Sequence, residues 1–220
     1  EVIEREMKEF GVFDFYNKFV HPLISILLEM QIKGVRIDEK VRVEAFEFYT
    51  KETEELQRKL SAALGREINV MSPKQLKELL YVELNLPPVY KRGTTLLTTD
   101  EDALETLSKK IDSPIFDYIL KIRGNRKLLS TYLANKQGVD GRMRCSYVIG
   151  GTETGRLSSR ESVFRTGTNL QNIPPGVCRK MFVPDEGKIF INVDLSQAEA
   201  RVVAYLAEDE KLIEFFSKGG

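Results

Sequence analysis

The sequence predicts an α+β protein, in which long antiparallel helices precede the first strands of an antiparallel sheet. A densely charged stretch with a narrow apolar stripe, residues 38–64, favours a long helix that pairs with another helix. From Met143 to Ile149, apolar residues alternate with polar or small ones, as they do in a β-strand. The apolar run 189–193 is rich in β-branched and aromatic residues, which is typical of a buried strand, and a helical pattern follows it to Leu206.

Two helices are predicted before residue 66. Apolar residues at helical spacing predict a helix over residues 12–33, and Gly34 follows it in the position of a C-terminal cap. A short extended piece at 35–37 leads to Asp38, which can cap a second helix that ends at Gly65. The face of the first helix expected to be buried consists of Phe13, Tyr16, Phe19, Val20, Leu23, Ile24, Leu27 and Leu28.

Three more helix starts are predicted before residue 135. Ser72 followed by Pro73, with a glutamine at capping-box spacing, marks the first, and Asp100 can cap the second. Ser113, again followed by proline, marks a helix that runs to about residue 134. Between them, Lys91–Thr99 is polar and contains a glycine and two adjacent basic residues, which favours a mobile loop.

Composition excludes several classes of protein. The 220 residues are 42% hydrophobic and 30% charged, which is typical of a globular protein rather than a disordered one. No apolar run approaches a membrane span, and the N-terminus does not resemble a signal peptide. Cys145 and Cys178 are therefore expected to be reduced, as in a cytoplasm, rather than joined in a disulfide. His21, the sole histidine, is far from both in sequence, which argues against a zinc site.

Charge is unevenly distributed along the chain. The net charge is zero, yet Ile115–Lys180 contains 12 lysines and arginines against 4 aspartates and glutamates, a surplus of +8. Such an asymmetry would steer one face of the protein onto a phosphate backbone. Scattered, solvated charge is the competing explanation.

Asp194 lies where the predicted strand 189–193 meets the predicted helix. Ser196 can serve as the N-cap of that helix, with Glu199 at capping-box spacing. A carboxylate at the end of a buried strand is held rigidly and still reaches solvent, and Mg²⁺ prefers such oxygen ligands. The pattern is compatible with a magnesium ligand, but the spacing alone favours an ordinary aspartate that caps the next helix.

An arginine and three amides form two further candidate contacts. Arg156 follows Gly155, whose lack of a side chain allows a partner to approach, and a guanidinium can bind acceptors in the minor groove. Asn169, Gln171 and Asn172 suit groove edges and sugars because amides pair without a charge. The alternatives are a structural salt bridge for the arginine and a loop that hydrogen-bonds to itself.

Five motifs in order resemble the signatures of one family. They are S-P-K-Q-L (72–76), K-L-L-S-T-Y (127–132), T-G-R-L-S-S (154–159), N-L-Q-N-I-P (169–174) and D-L-S-Q-A-E-A-R (194–201). Together they resemble family A DNA polymerases, and their order over most of the chain is more specific than any one of them. The resemblance implies a lead-in segment and palm-packing helix at 1–37, a thumb at 38–134, the first part of the palm at 135–206 and the start of the fingers at 207–220. The rest of the fingers and palm would be absent, so the isolated chain is expected to be inactive.

The resemblance also implies roles for individual residues. Asp194 would be catalytic and would bind two Mg²⁺ ions, with the backbone carbonyl of Leu195 as a further ligand. The incoming deoxynucleoside triphosphate would meet Ser196, Gln197 and Glu199. Primer–template DNA would meet Lys127, Ser130, Thr131, Arg156, Asn169, Gln171 and Asn172. The remaining fingers and palm segments would be partners, and no membrane partner is expected.

The sequence departs from the family pattern at two places. Leu195 replaces the usual tyrosine, and Ala198 and Ala200 replace branched residues beside Glu199, which suggests altered packing under the nucleotide. Residues 160–168 also form a longer link than expected. A non-catalytic primer–template binding module is the alternative function. A metal-dependent phosphohydrolase lacks its acidic and histidine cluster, and a plain helical domain does not explain five ordered motifs.

Overall fold

The computed structural model describes residues 1–135, 137–164 and 166–219, and it confirms the α+β class. The chain forms two compact units, Glu1–Val183 and a second that begins at Pro184. The α-helices are α1 (Val2–Glu9), α2 (Phe13–Phe15), α3 (His21–Lys33), α4 (Glu39–Leu64), α5 (Pro73–Lys77), α6 (Glu101–Ser108), α7 (Pro114–Leu128), α8 (Val177–Lys180), α9 (Ala198–Leu206) and α10 (Glu210–Ser217). π-Helical turns occupy Tyr16–Val20, Glu78–Glu83 and Leu129–Leu133, and a 3₁₀ turn occupies Leu170–Asn172.

Helix ends follow the local signals closely. The side chains of Asp38, Ser72 and Asp100 each accept a hydrogen bond from the backbone N–H three residues later, at 3.1, 3.4 and 3.0 Å. Gly65 ends α4 in the left-handed region, with φ 69° and ψ 4°. Ser113 makes no capping bond, but the proline after it still begins α7. The helix starts predicted at Asp38, Ser72 and Asp100 and the helix end predicted at Gly65 are thus confirmed, because caps depend on neighbours only a few residues away.

α4 and α7 form the predicted antiparallel pair. Near the middle of α4, Glu52 accepts a hydrogen bond of 2.8 Å from Asn125 of α7. At the start of α4, Arg42 donates to the carbonyl of Leu133, beyond the end of α7. The core between them and their neighbours consists of Leu56, Leu60, Ile68, Val70, Leu76, Leu79, Leu80, Leu104, Leu107, Ile115, Phe116, Ile119 and Ile122. This apolar interior stabilises the helical part of the first unit.

The strands form two small antiparallel sheets. They are β1 (Val35–Ile37), β2 (Arg142–Met143), β3 (Cys145–Val148), β4 (Ser158–Glu161) and β5 (Phe182–Val183). β1 lies between β2 and β5, whereas β3 pairs only with β4, from Cys145 opposite Glu161 to Val148 opposite Ser158. The predicted strand 143–149 therefore divides at Arg144 between two sheets. β4 was not predicted, because its residues are all polar and show no alternation with apolar ones.

A second core lies where the three-stranded sheet meets the start of α4, the turn after α7 and α8. It consists of Ile37, Ala45, Tyr132, Leu133, Met143, Cys178 and Met181. Cys145 and Cys178 are free and buried, and burial raises the pKa of both thiols. Within the described part of the chain, no helix is long and apolar enough to cross a membrane.

The first predicted helix forms, but its predicted buried face is wrong. Helical structure runs from α2 through the π-helical turn into α3, and Gly34 follows at φ 62°. Of that face only Leu27 is buried, while Phe19 and Leu28 are 52% and 53% exposed. Periodicity identifies the side of a helix that can be buried, but it does not supply the element that covers it.

The second unit differs most from the prediction. Residues 189–193 form no strand, and the apolar side chains there are 58–81% exposed, because none of the described strands pairs with them. α9 begins at Ala198, after Gln197 in the left-handed region at φ 51°, so Ser196 is not its N-cap. Arg201 stabilises the unit: its Nε and Nη1 donate to the carbonyls of Ser196 and Phe216 at 2.8 and 2.7 Å.

Candidate functional site

The T-G-R motif forms a turn held by its own backbone. The Gly155 N–H donates to the carbonyl of Thr152 at 3.2 Å, and the Thr152 hydroxyl donates to the carbonyl of Arg156 at 2.9 Å. Gly155 has φ +73° and open space around the position of a Cβ, so glycine is needed there for its conformation. The turn connects β3 to β4, which pair as a two-stranded antiparallel ribbon, and Arg156 is exposed at one end of this β3–β4 ribbon.

The N-L-Q-N motif folds back onto β4 through its amide side chains. Asn169 Oδ1 accepts from the hydroxyl of Ser159 at 2.5 Å and from the N–H of Gln171 at 3.0 Å. Gln171 Nε2 donates to the carbonyl of Leu157, next to Arg156, at 3.2 Å. The structure thus brings the arginine and the amides together on one ribbon. Two of the three amides also hold the loop, as the alternative interpretation expected.

The thumb candidates lie along the end of α7 and the following turn. Lys127, Ser130 and Thr131 line an open groove together with Met71, Glu101, Leu120, Arg123 and Gly124. Lys127 is exposed, whereas the Ser130 hydroxyl donates to the carbonyl of Arg126 at 2.8 Å. This groove lies over part of the stretch with the +8 surplus.

Not every basic residue of α7 is available to a ligand. Arg123 Nε donates to the carbonyl of Val70 at 2.8 Å, and its Nη1 donates to the carbonyl of Thr99. Burial lowers the pKa of Arg123, which remains charged because arginine starts from a very high value. Arg123 therefore anchors the segment Lys91–Thr99 at Thr99. Within the segment, the Lys91 N–H donates to the carbonyl of Leu96 at 2.9 Å. The mobility predicted for that segment stays a prediction.

Asp194 and Glu199 line one concave surface of the second unit. Its lining consists of Val193, Asp194, Leu195, Gln197, Ala198, Glu199 and Ala200. Ser196 is not part of this lining, and its carbonyl instead accepts the bond from Arg201. The small side chains of Ala198 and Ala200 leave the surface between the two carboxylates open.

The oxygen atoms around Asp194 fit part of a magnesium shell. The exposed carboxylate and the carbonyl of Leu195 are hard ligands of the kind that Mg²⁺ takes. Among the described residues, however, no three His, Cys, Asp or Glu side chains cluster closely enough to hold a metal ion. Further ligands must therefore come from water, from substrate phosphates or from other protein segments.

Two residues that hold these segments escaped the sequence analysis. Ser159 on β4 binds Asn169, and Tyr132, which lies in the K-L-L-S-T-Y motif, donates its hydroxyl to the carbonyl of Asn172 at 2.7 Å. Membership of a motif was the only signal for Ser159, which ends T-G-R-L-S-S, and for Tyr132. The bond that defines its role spans 40 residues and has no local pattern.

The family comparison agrees with the motifs. The family model described as DNA polymerase family A matches residues 41–220. The chain is 36% identical to DNA polymerase I of Caldicellulosiruptor bescii over 214 residues, which covers 91% of this chain and 24% of that protein. It is 35% identical to DNA polymerase I of Streptococcus pneumoniae, covering 99% of this chain and 25% of that one. The chain thus spans about a quarter of the length of the curated relatives it matches.

A solved structure gives the same result. The structure described as the POL domain of Pol1 from M. smegmatis in complex with DNA primer-template and dNTP covers 97% of this chain, with a TM-score of 0.85 and 30% identity. This chain corresponds to 38% of that one. Sequence and fold agree over nearly the whole length, and the chain therefore belongs to DNA polymerase family A.

Proposed function

We propose that this chain forms the first part of the polymerase domain of a DNA-directed DNA polymerase, which adds deoxynucleotides to the 3′ end of a primer. The observation that carries the proposal is the fold match over 97% of the chain to a POL domain in complex with primer-template and dNTP. Because the chain covers 38% of that neighbour, its partners include the remaining fingers and palm segments. A cytoplasmic location in a bacterial or phage-infected cell follows from the same assignment.

The proposal divides the chain by role. Residues 1–37 lead into the domain and pack on the palm, and residues 38–134 form the thumb. Residues 135–206 form the first part of the palm, and residues 207–220 begin the fingers. The antiparallel pair α4–α7 suits a thumb, because two long helices held by an apolar core make a stiff arm.

The first unit would bind primer–template DNA through two surfaces. Lys127, with Ser130 and Thr131, would contact backbone phosphates without sequence preference. On the ribbon, Arg156 would reach minor-groove acceptors, which every correct base pair presents in similar positions. Internal bonds use Asn169 Oδ1 and one proton of Gln171 Nε2. The Asn169 amide N–H₂, the second proton of Gln171 Nε2 and Gln171 Oε1 therefore remain for DNA.

The second unit would supply the metal ligand. Members of this family use divalent metal ions, and we assign the ion as Mg²⁺ because the donors near Asp194 are oxygens. When bound, Mg²⁺ would activate the primer 3′ hydroxyl and neutralise charge on the triphosphate. The Asp194 carboxylate holds the required negative charge at the reaction centre, and the Leu195 carbonyl adds a neutral ligand. Glu199, with Gln197 and Ser196, would position the sugar of the incoming nucleotide.

Primer extension tests the proposal. The assay compares the 220-residue chain, the complete domain, its Asp194→Asn variant and a matched Asp112→Asn variant, whose aspartate is exposed outside the candidate site. We expect extension by the complete domain and by Asp112→Asn, and none by the isolated chain. Asp194→Asn should lose at least about a thousandfold in rate with little change in DNA affinity, because it removes a charge needed in the transition state. Substantial extension by Asp194→Asn would show that the catalytic centre lies elsewhere.

A non-catalytic primer–template binding module is the second candidate. The candidate DNA contacts favour it, because Lys127 and the residues between Arg156 and Asn172 all lie in the first compact unit. Asp194 lies in the second unit. A complete domain that binds primed DNA with a steep salt dependence, yet extends no primer with Mg²⁺ and all four nucleotides, would support this candidate.

A further inference from the structure

A single buried hydroxyl connects the two candidate DNA-binding surfaces of the first unit. Tyr132 is 6% exposed, and its hydroxyl donates to the carbonyl of Asn172 at 2.7 Å. Ser130 and Thr131, which line the groove at the end of α7, directly precede Tyr132 in the chain. Asn172 closes the 3₁₀ turn that carries the candidate amides. The bond thus joins the turn that follows α7 to the 3₁₀ turn 170–172, which packs on β4.

Tyr132 lies in a π-helical turn that follows α7. Residues 129–133 form a π-helical turn, in which the N–H of Ala134 donates to the carbonyl of Leu129, five residues back, at 2.8 Å. Tyr132 and Leu133, two consecutive residues of this turn, are both buried, at 6% and 0% exposure. π-Helical turns interrupt a regular helix at a cost, and they occur frequently at functional sites.

Both ends of the bond are held by other contacts. On the helix side, Arg42 of α4 donates to the carbonyl of Leu133, and the ring of Tyr132 lies in the second core. On the ribbon side, Asn169 Oδ1 caps the 3₁₀ turn and also accepts from Ser159 of β4. The Tyr132 hydroxyl therefore links two segments that other contacts already hold in place. Its hydrogen bond sets the distance between these two segments.

We propose that Tyr132 is a positioning residue of the polymerase reaction, which holds the 3₁₀ turn 170–172 at a set distance from the helix end that grips DNA. The role rests on the proposed function. With both surfaces engaged on one duplex, this distance decides where the turn and Arg156 meet the primer terminus. A shift of a fraction of an ångström there lowers the rate of the chemical step more than the affinity for DNA.

Tyr132→Phe removes the hydroxyl and keeps the ring, and Tyr81→Phe is its matched control. The Tyr81 hydroxyl also donates to a backbone carbonyl, that of Thr98, at 2.6 Å, but both residues lie within the proposed thumb. In the complete domain, each variant should lower the melting temperature by a similar few degrees. Only Tyr132→Phe should slow single-turnover nucleotide incorporation, by roughly 3- to 10-fold, the effect of one hydrogen bond, with the Kd for primed DNA within about twofold of the parent.

Hydrogen exchange gives a readout that does not depend on turnover. The N–H of Gln171, protected by Asn169 Oδ1, should exchange faster in Tyr132→Phe than in the parent or in Tyr81→Phe. Equal incorporation rates in the two variants would overturn the proposal, and so would a loss that appears only in Kd. If the parent domain itself extends no primer, the proposed function fails, and the role of Tyr132 fails with it. The activity of the parent domain therefore distinguishes a failure of the proposed function from a failure of the Tyr132 role alone.

Discussion

Gly167 is the position where one added methyl group should do the most damage. Its φ is +75°, and a Cβ built there would lie 1.8 Å from the carbonyl oxygen of Arg144 and 2.9 Å from the carbonyl carbon and amide nitrogen of the same residue. To reach even 3.0 Å, the two backbones would have to separate by about 1.2 Å, the difference between 3.0 and 1.8. Only glycine fits this close approach of backbone to backbone.

The backbone of Arg144 cannot easily move away. Met143 on one side pairs with β1, and Cys145 on the other pairs with β4, so a shift disturbs both sheets. The Arg144 side chain is held as well, by Nε donating to the carbonyl of Ile32 at 2.8 Å. We therefore expect Gly167→Ala to lower the free energy of unfolding by at least about 3 kcal/mol, of which the positive φ accounts for about 1 kcal/mol.

Gly65→Ala separates the two causes. Gly65 has a similar φ of +69°, but nothing lies within 4 Å of its Cβ position. This control should lose only about 1 kcal/mol. Urea denaturation followed by far-UV circular dichroism measures both, since the sequence contains no tryptophan for fluorescence. Losses that agree within about 0.5 kcal/mol would refute the close contact at Gly167 and leave only the conformational effect.

Two further predictions concern charge. The hydrogen-bonded guanidinium of Arg144 lowers the pKa of Asp140 to about 2, and because this folded value lies below the unfolded one, the stabilisation is present above about pH 4 and is lost as the pH falls toward 2. The Asp140 side chain is 44% exposed, so Asp140→Asn should lower the free energy of unfolding by less than about 1 kcal/mol at pH 7. Urea titrations should show that the difference in stability between parent and variant narrows from pH 5 to pH 3. A difference that stays constant over this range would contradict the lowered pKa of Asp140. Arg156→Ala in the complete domain should slow single-turnover incorporation at least about tenfold, while the Kd for primed DNA changes less than about threefold. Equal losses in rate and affinity would mean that Arg156 contributes to DNA binding alone.

Signals that act within a few residues correctly predicted the starts of α4, α5 and α6 and the end of α4. Asp38, Ser72 and Asp100 cap helices by bonds to the third residue after them, and Gly65 ends α4 by its own conformation. The ordered motifs predicted the family for a different reason. Each is a short run of specific residues, and five in order seldom occur by chance.

Features that depend on distant partners were predicted poorly. Residues 189–193 have the composition of a buried strand, but a strand needs a neighbour to accept its hydrogen bonds, and no described strand pairs with them. On the face of residues 13–28 that periodicity marks as buried, only Leu27 is fully buried, for a related reason. β4 was missed because its pairing with β3, rather than its own polar residues, makes it a strand.

For the candidate site, the sequence by itself determined which residue types are present and that they follow the order of family A DNA polymerases. Only the tertiary structure decided how each one is used. In the fold, Arg123 donates to the carbonyls of Val70 and Thr99. The amides of Asn169 and Gln171 make hydrogen bonds within their own loop and to the segment before β4. The Tyr132 hydroxyl donates to the carbonyl of Asn172. The reason is physical: a side chain's chemistry is local, whereas the partner that satisfies each donor or acceptor is chosen by packing between segments far apart in the chain.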